Sequence, residues 1–169
     1  NMGATGMQSS FFEDMVAAVL ALTGEDSPVK VRRVLRNFCM LSSDVSAAYD
    51  PLYPEVFEKK NTAYFGRGLV LNKYTGSRGK NGTSDANAEY VAKVRNVFDN
   101  NHVAFQTAEL GKVDQGGGGT IAYVMANKAM SVIDSGVAVL SMHAPYEVTS
   151  KSDVYEVYRG YKAFLKDMK

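Results

Sequence analysis

The residues best suited to do chemistry lie in two stretches of the chain. One runs Val113-Asp114-Gln115-Gly116-Gly117-Gly118-Gly119-Thr120 and continues through an amphipathic segment to Gly136-Val137-Ala138-Val139-Leu140-Ser141-Met142-His143-Ala144-Pro145-Tyr146-Glu147. A glycine turn, a helix and a buried strand would deliver the imidazole of His143 to the strand's C-terminal edge, where open α/β sheets place ligand chemistry. The other stretch is Ser42-Ser43-Asp44, which closes a short apolar run. A carboxylate at a strand end can ligate a divalent metal, or it can make an Asx turn or cap a helix. Neutral imidazole is a common metal ligand, although histidine before Ala-Pro can also simply end a strand. Parallel neighbouring strands would present Asp44 and His143 at one edge. Histidine with aspartate suits zinc, but two ligands do not complete a site. His102, the chain's other histidine, opens its strand and in a parallel sheet would point to the opposite edge, as a surface residue.

Glycines 116–119 permit positive φ and close backbone approach, and they open onto a helix N-terminus that favours anions. A phosphate loop is one reading, yet no Gly-Lys-Ser/Thr follows and the spacing is not GxGxxG. A tight turn beside a substrate, or plain strand-to-helix packing, are the others. The single cysteine, Cys39, sits in Phe38-Cys39-Met40-Leu41 and reads as a buried structural thiol. It excludes an internal disulfide and a cysteine-based zinc site.

These groups need a scaffold. Phe11 to Leu22 has helical apolar spacing, with Ser9 or Ser10 as N-cap, Glu13-Asp14 in the first turn and Thr23-Gly24 closing it. Val29 to Arg36 is a short helix or a basic loop, and Asn37 to Leu41 a buried strand. Asp50-Pro51 and Tyr53-Pro54 mark an extended or turning segment. Gly68 to Tyr74 reads as a strand, Gly76 to Gly82 as a polar loop, and Ser84 to Asn100 as a helix capped by Ser84. His102 to Leu110 is a strand, Thr120 to Met130 a helix, and Val132 to Met142 a strand. Ser152 to Met168 is a closing helix with Val154, Val157, Tyr158, Tyr161, Phe164 and Leu165 inward. Helices alternating with short apolar strands predict a layered α/β domain.

Composition bounds the function. The 169 residues, 46% hydrophobic and 22% charged, are enough for one domain with a real core. A net charge of +1 gives no reason to expect nucleic acid or an anionic membrane as partner. Arg32-Arg33 with Arg36, and Lys59-Lys60, read as solvated faces. Met15 to Leu22 is too short to span a bilayer, and no signal peptide precedes it. A cytoplasmic, reducing compartment is the expectation.

Four ordered motifs carry a resemblance. Met2-Gly3-Ala4-Thr5-Gly6-Met7, Ser43-Asp44 through Asp50-Pro51, Asp114-Gln115-Gly116 to Thr120-Ile121-Ala122, and Ser141-Met142-His143-Ala144-Pro145-Tyr146-Glu147 together resemble the aspartyl and vacuolar aminopeptidases. These are cocatalytic two-zinc exopeptidases, and the match runs nearly end to end. The resemblance implies a three-layer sandwich, a mixed, mainly parallel sheet flanked by helices, present here as a partial domain. It implies zinc, with metals roughly 3.5–4 Å apart in the complete enzyme, and Asp44 and His143 as metal ligands. It implies Lys73 as a substrate contact, the alternative being an exposed edge-strand lysine, and Gly117 and Gly118 as backbone lining the substrate. Ala47-Ala48-Tyr49-Asp50-Pro51 stands where eukaryotic cytosolic relatives carry His-Ala-x-His-Pro, which points to a bacterial-type member and withdraws a histidine tied to acidic-residue specificity.

In that family the Gly3-Ala4-Thr5-Gly6 segment closely follows the general-base glutamate. The remaining metal ligands and an inserted dimerisation domain lie further upstream. Residues 1–169 are therefore expected to be the C-terminal part of a metallopeptidase catalytic domain, with peptide as substrate and the other half of that domain as a partner. The family's homo-oligomer is a dodecamer. Lacking a general base, a role worth ~10²–10⁴ in rate, the chain alone is expected to be inactive. The competing expectation is a non-catalytic binding or assembly module that keeps the fold. Sequence immediately upstream of Met2 discriminates the two.

Overall fold

The alternation of helical and strand patterns resolves, in a computed structural model, into two helical layers enclosing a sheet. The structure describes residues 3–25, 27–77, 81–112, 115 and 117–169. Val113, Asp114 and Gly116 of the glycine motif, Arg78 to Lys80 of the polar loop, Asp26 and Met2 lie outside the described residues.

Helix α1 spans Phe11–Leu22, as its spacing predicts, with Glu13 and Asp14 in the first turn. Thr23 stops it by returning its amide and hydroxyl to the Leu20 carbonyl. Helix α2, Pro28–Arg36, starts on a proline whose fixed φ suits the first turn. Strand β1 is Cys39–Ser43, two residues later than its apolar run suggests, and β2 is Ser46–Ala47. After a 3₁₀ turn at Pro54–Val56 come β3, Leu69–Asn72, and the hairpin β4, Tyr74–Ser77, and β5, Asn81–Asp85. Of the predicted loop at 76–82, Gly76 and Ser77 lie in β4 and Asn81 and Gly82 in β5. Ser84 lies in β5, so helix α3, Ala88–Asn100, is capped instead by Asn87, whose side chain accepts the Tyr90 amide at 2.8 Å. Strand β6 covers Phe105–Thr107, and α4 only Ala122–Ala126. The long strand expected at 132–142 is broken into β7, Ser131–Gly136, and β8, Ala138–Leu140. Short β9, Val148–Thr149, precedes α5, Lys151–Asp167.

The central sheet has the order β1-β7-β3-β6, parallel at β1–β7 and β3–β6 and antiparallel at β7–β3. A second sheet orders β2-β8-β9, with β2 and β8 again parallel. Side chains alternate across the central sheet as the two-residue strand period requires. Leu69, Leu71 and Ile133 join Val94 and Phe98 of α3 and Ala163 of α5 in one core. Met40 and Val132 face the other way, toward Leu35 of α2 and Val124 and Met125 of α4, with Phe12 and Val16 of α1. Val70 joins small residues, Ala48, Ala63, Ala108 and Ala138, in a third cluster.

The inward face of α5 differs from its apolar reading. Val157, Tyr161, Ala163 and Phe164 pack on the core, while Val154, Tyr158 and Leu165 are exposed. Gly160 lets the helix approach: a Cβ there would lie 2.7 Å from Leu69 Cδ1. Buried Asp153 fixes the start of α5, accepting the amides of Gly66 and Gly68, each at 2.8 Å.

Candidate functional site

The β1/β2 and β7/β8 segments run side by side as one interrupted parallel ladder. The Asp44 amide donates to the Ser135 carbonyl (3.2 Å), Ser46 to Val137 (2.9 Å) and Ala48 to Val139 (2.9 Å). Asp44 sits at the interruption, between β1 and β2. Its Oδ1 accepts the amide of the next residue, Val45, at 2.8 Å, rather than making the Asx turn to residue 46. Gly136 permits this step, because a Cβ on it would come within 1.6 Å of the Asp44 carbonyl oxygen.

His143 follows β8 in a tight turn closed by the Ala144 amide on the Ser141 carbonyl at 2.9 Å. Ser141 and His143 both hold positive φ, 58° and 69°. Left-handed backbone at a residue with a side chain costs roughly 1–2 kcal/mol. The Glu147 carboxylate offsets part of that by accepting the His143 amide.

Asp44 and His143 line one cavity of about 340 Å³, together with Gly117, Gly118, Gly119 and Thr120. Its remaining walls include Ala47, Val56, Phe57, Leu110 and Met142. Gly117 holds φ +88°, and a Cβ there would meet the Leu110 carbonyl oxygen at 2.9 Å, so the turn demands glycine. Gly118 has room, its nearest neighbour being Leu110 Cδ1 at 3.8 Å. Lys73 lies elsewhere: it is exposed in the bend between β3 and β4 and pairs with Asp85 of β5. His102 sits in the turn after α3, with φ 52°, rather than in a strand.

Three groups that sequence reasoning passed over hold this wall in place. Asp134, 1% exposed, accepts the Thr120 hydroxyl at 2.8 Å and the Thr75 hydroxyl at 3.2 Å. Thr120 Oγ1 in turn takes the Ala122 amide at the start of α4 (3.2 Å). One carboxyl thereby ties β7, the β4 hairpin strand and the end of the glycine turn together. Burial pushes its pKa up; the hydroxyls of Ser42, Thr120 and Thr75 oppose the shift, and the Asp44 charge adds to it. Its Oδ1 and the Ser42 hydroxyl, cross-strand partners in register, are buried without a well-aligned partner among the described residues. The third group is Tyr161 of α5, whose hydroxyl donates to the Ser135 carbonyl at 2.6 Å and lies 2.9 Å from the Ser43 hydroxyl. Burial raises its pKa. An acid inside Val132-Ile133-Asp134 was the available signal, since a lone carboxylate within an apolar strand must find partners.

One exposed carboxylate and one exposed imidazole fit zinc in kind. In number they fall short, for among the described residues no group of three or more His, Cys, Asp or Glu side chains could hold a metal.

The chain matches the aminopeptidase I zinc metalloprotease (M18) family over residues 1–165. It is 60% identical over 167 residues to a probable M18 family aminopeptidase 1 of Clostridium acetobutylicum, covering 99% of this chain and 36% of that protein. The Thermotoga maritima counterpart is 44% identical over 98% of this chain and 37% of its own length. A crystal structure of the Thermotoga enzyme superposes with a TM-score of 0.91, and that of the Clostridium aminopeptidase I with 0.85, over 97% of this chain in each case. A dodecamer structure of the Saccharomyces cerevisiae mApe1, 24% identical with a TM-score of 0.74, shares the fold. The chain thus spans a little over a third of the length of the bacterial relatives it matches.

Proposed function

This chain belongs to the M18 family of aminopeptidase I zinc metalloproteases, and from that premise we propose that it forms the C-terminal part of the catalytic domain of a zinc-dependent aminopeptidase. The whole enzyme would release N-terminal amino acids from peptides. The observation that carries this reading is the meeting of Asp44, His143 and the glycine turn around one cavity. Asp44 and His143 would hold zinc, which when bound supplies Lewis acidity toward a peptide carbonyl and a water. Gly117 and Gly118 offer backbone to an extended substrate, and the apolar walls limit water around it. Lys73 contacts substrate only if its pairing with Asp85 opens.

The general-base glutamate and the remaining metal ligands belong, in this reading, to the other half of the same domain. That half covers the cavity's open side, and the assembled enzyme is a homo-oligomer, as the yeast relative's dodecamer suggests. A cytoplasmic setting is supported by the single, unpaired Cys39. Among the described residues, no helix is long and apolar enough to cross a membrane.

The test combines metal analysis with an aminopeptidase assay on the purified chain, with and without a separately produced N-terminal half from the Clostridium relative. Zinc-dependent release of N-terminal residues only after mixing is expected. Robust release by the chain alone overturns the division of the site. Tight association of the halves without any activity favours a binding or assembly module.

A further inference from the structure

The Arg32 and Arg36 pair, read from sequence as a solvated face, lines the wall of a second cleft, separate from the Asp44–His143 cavity. This cleft, about 650 Å³, lies between α1, α2 and the end of α4, within the range of small-molecule sites, roughly 300–1,000 Å³. Arg32 and Arg36 are one helical turn apart on α2, so their guanidiniums share a face. Among the described residues neither guanidinium has an ion-pair or hydrogen-bond partner. Across the cleft, Lys128 is held by Glu13 at 3.2 Å, its side chain 16% exposed.

Charge and shape both select the occupant. The lining carries three cations against one carboxylate, whereas the whole chain nets +1. Glu13 is already committed to Lys128, so the two arginines retain their charge and their forks. Paired guanidinium forks match phosphate oxygens in geometry as well as sign. The apolar floor open to a ligand is the half-buried ring of Tyr123, since Leu35 and Val124, though they line the cleft, are only 1% and 6% exposed. A bond from Gln8 Nε2 to the Tyr123 hydroxyl (2.9 Å) fixes that ring. A bare inorganic ion would leave that floor and most of the volume unused.

We propose that the α1–α2–α4 cleft binds a phosphorylated small molecule of nucleotide size, its phosphate on Arg32 and Arg36 and its organic body on the Tyr123 ring. The proposal is independent of the peptidase reading, because the cleft shares no lining residue with the Asp44–His143 cavity. Helix α4 connects the two, since Thr120 of the cavity lies just before it and Tyr123 and Val124 within it line the cleft.

The test titrates the intact chain with adenosine monophosphate, inorganic phosphate and citrate at fixed ionic strength, read by calorimetry and amide chemical shifts. Saturable binding of the nucleotide is expected, at least tenfold tighter than inorganic phosphate, with shifts confined to α2, α4 and the 127–129 turn. R32Q and R36Q should each weaken it about tenfold, and both exposed positions leave the fold intact by circular dichroism. Non-saturable shifts, equal binding by the R32Q/R36Q double variant, or citrate binding tighter than the nucleotide would each overturn the proposal.

Discussion

The α-carbon of Gly136 passes so close to Asp44 that a single added methyl would lie 1.6 Å from the Asp44 carbonyl oxygen. The contact involves backbone on one side, so no side-chain rotation relieves it. It also sits where the parallel ladder steps from the central sheet into the smaller one, which is where Asp44 leaves the sheet. Glycine at 136 is therefore a condition for placing this carboxylate. G136A should cost about 3 kcal/mol, the upper part of the overpacking range, read as a lower urea midpoint with unchanged slope. A loss below a tenth of that would mean the ladder can shift at no cost.

The glycine turn makes a paired prediction. Gly117 needs positive φ and has the Leu110 carbonyl oxygen close by, whereas Gly118 has ordinary contact distance around its α-carbon. G117A should destabilise by roughly 1–2 kcal/mol through left-handed strain, while G118A should be neutral or slightly stabilising. Thermal denaturation of the two variants side by side checks this, and equal effects would contradict it.

The contrast between these neighbours marks how far sequence reading reaches. Helix α1 was legible to the residue because its acidic first turn, apolar spacing and Thr23-Gly24 stop agree, although Ser10 makes no side-chain cap. Asp44 and His143 were legible as residues just past strand ends because each closes a short apolar run. Gly136 was not, since it reads as one more small residue inside what looks like a continuous strand from 132 to 142. The break there comes from the partner strand's backbone, which is a tertiary cause. Likewise Ser84 looks like a helix cap until the pairing of Thr75 with Ser84 draws it into a hairpin, leaving Asn87 to cap. Arg32 and Arg36 show the same limit at the surface: only the fold brings Lys128 opposite them.

Asp134 predicts a pH dependence with an inverted sign. Its folded-state pKa is raised above the ordinary 3.8, so the native state binds this proton more tightly than the unfolded chain. The protein avoids the cost of the buried charge below about pH 3.8 and loses stability as pH rises through the folded-state value. D134N removes this titration, and its amide is suited to meet the Ser42 hydroxyl, its register partner. Urea midpoints of both proteins from about pH 4 to about pH 8 should diverge, the wild type falling relative to the variant as pH rises. A constant difference would show that Asp134 does not titrate between these limits.

Asp153 should matter to stability well away from the cavity. It accepts two amides from the Gly66 to Gly68 bend, and its burial leaves those donors no replacement. D153A should cost about 3 kcal/mol, given ~1–3 kcal/mol for each buried unsatisfied group. D153N keeps one good acceptor and should fall between. Hydrogen exchange at Gly66 and Gly68 should accelerate in D153A more than at Val94 or Phe98. Uniform acceleration would instead indicate global destabilisation without a local role.

Metal binding provides a test of whether Asp44 and His143 act on one ion. Two donors to the same zinc are strongly non-additive, because losing either leaves the other with too weak a site to hold the metal. Donors to separate ions lose affinity independently. Zinc titrations of D44A, H143A and the double variant, in the chain combined with its complementary half, should therefore give losses that add, Asp44 serving one ion of the two-metal pair and His143 the other. Nearly equal losses in all three variants would instead place Asp44 and His143 on one ion. Unchanged affinity in both single variants would remove them from the metal site altogether and leave the shared cavity as a substrate pocket.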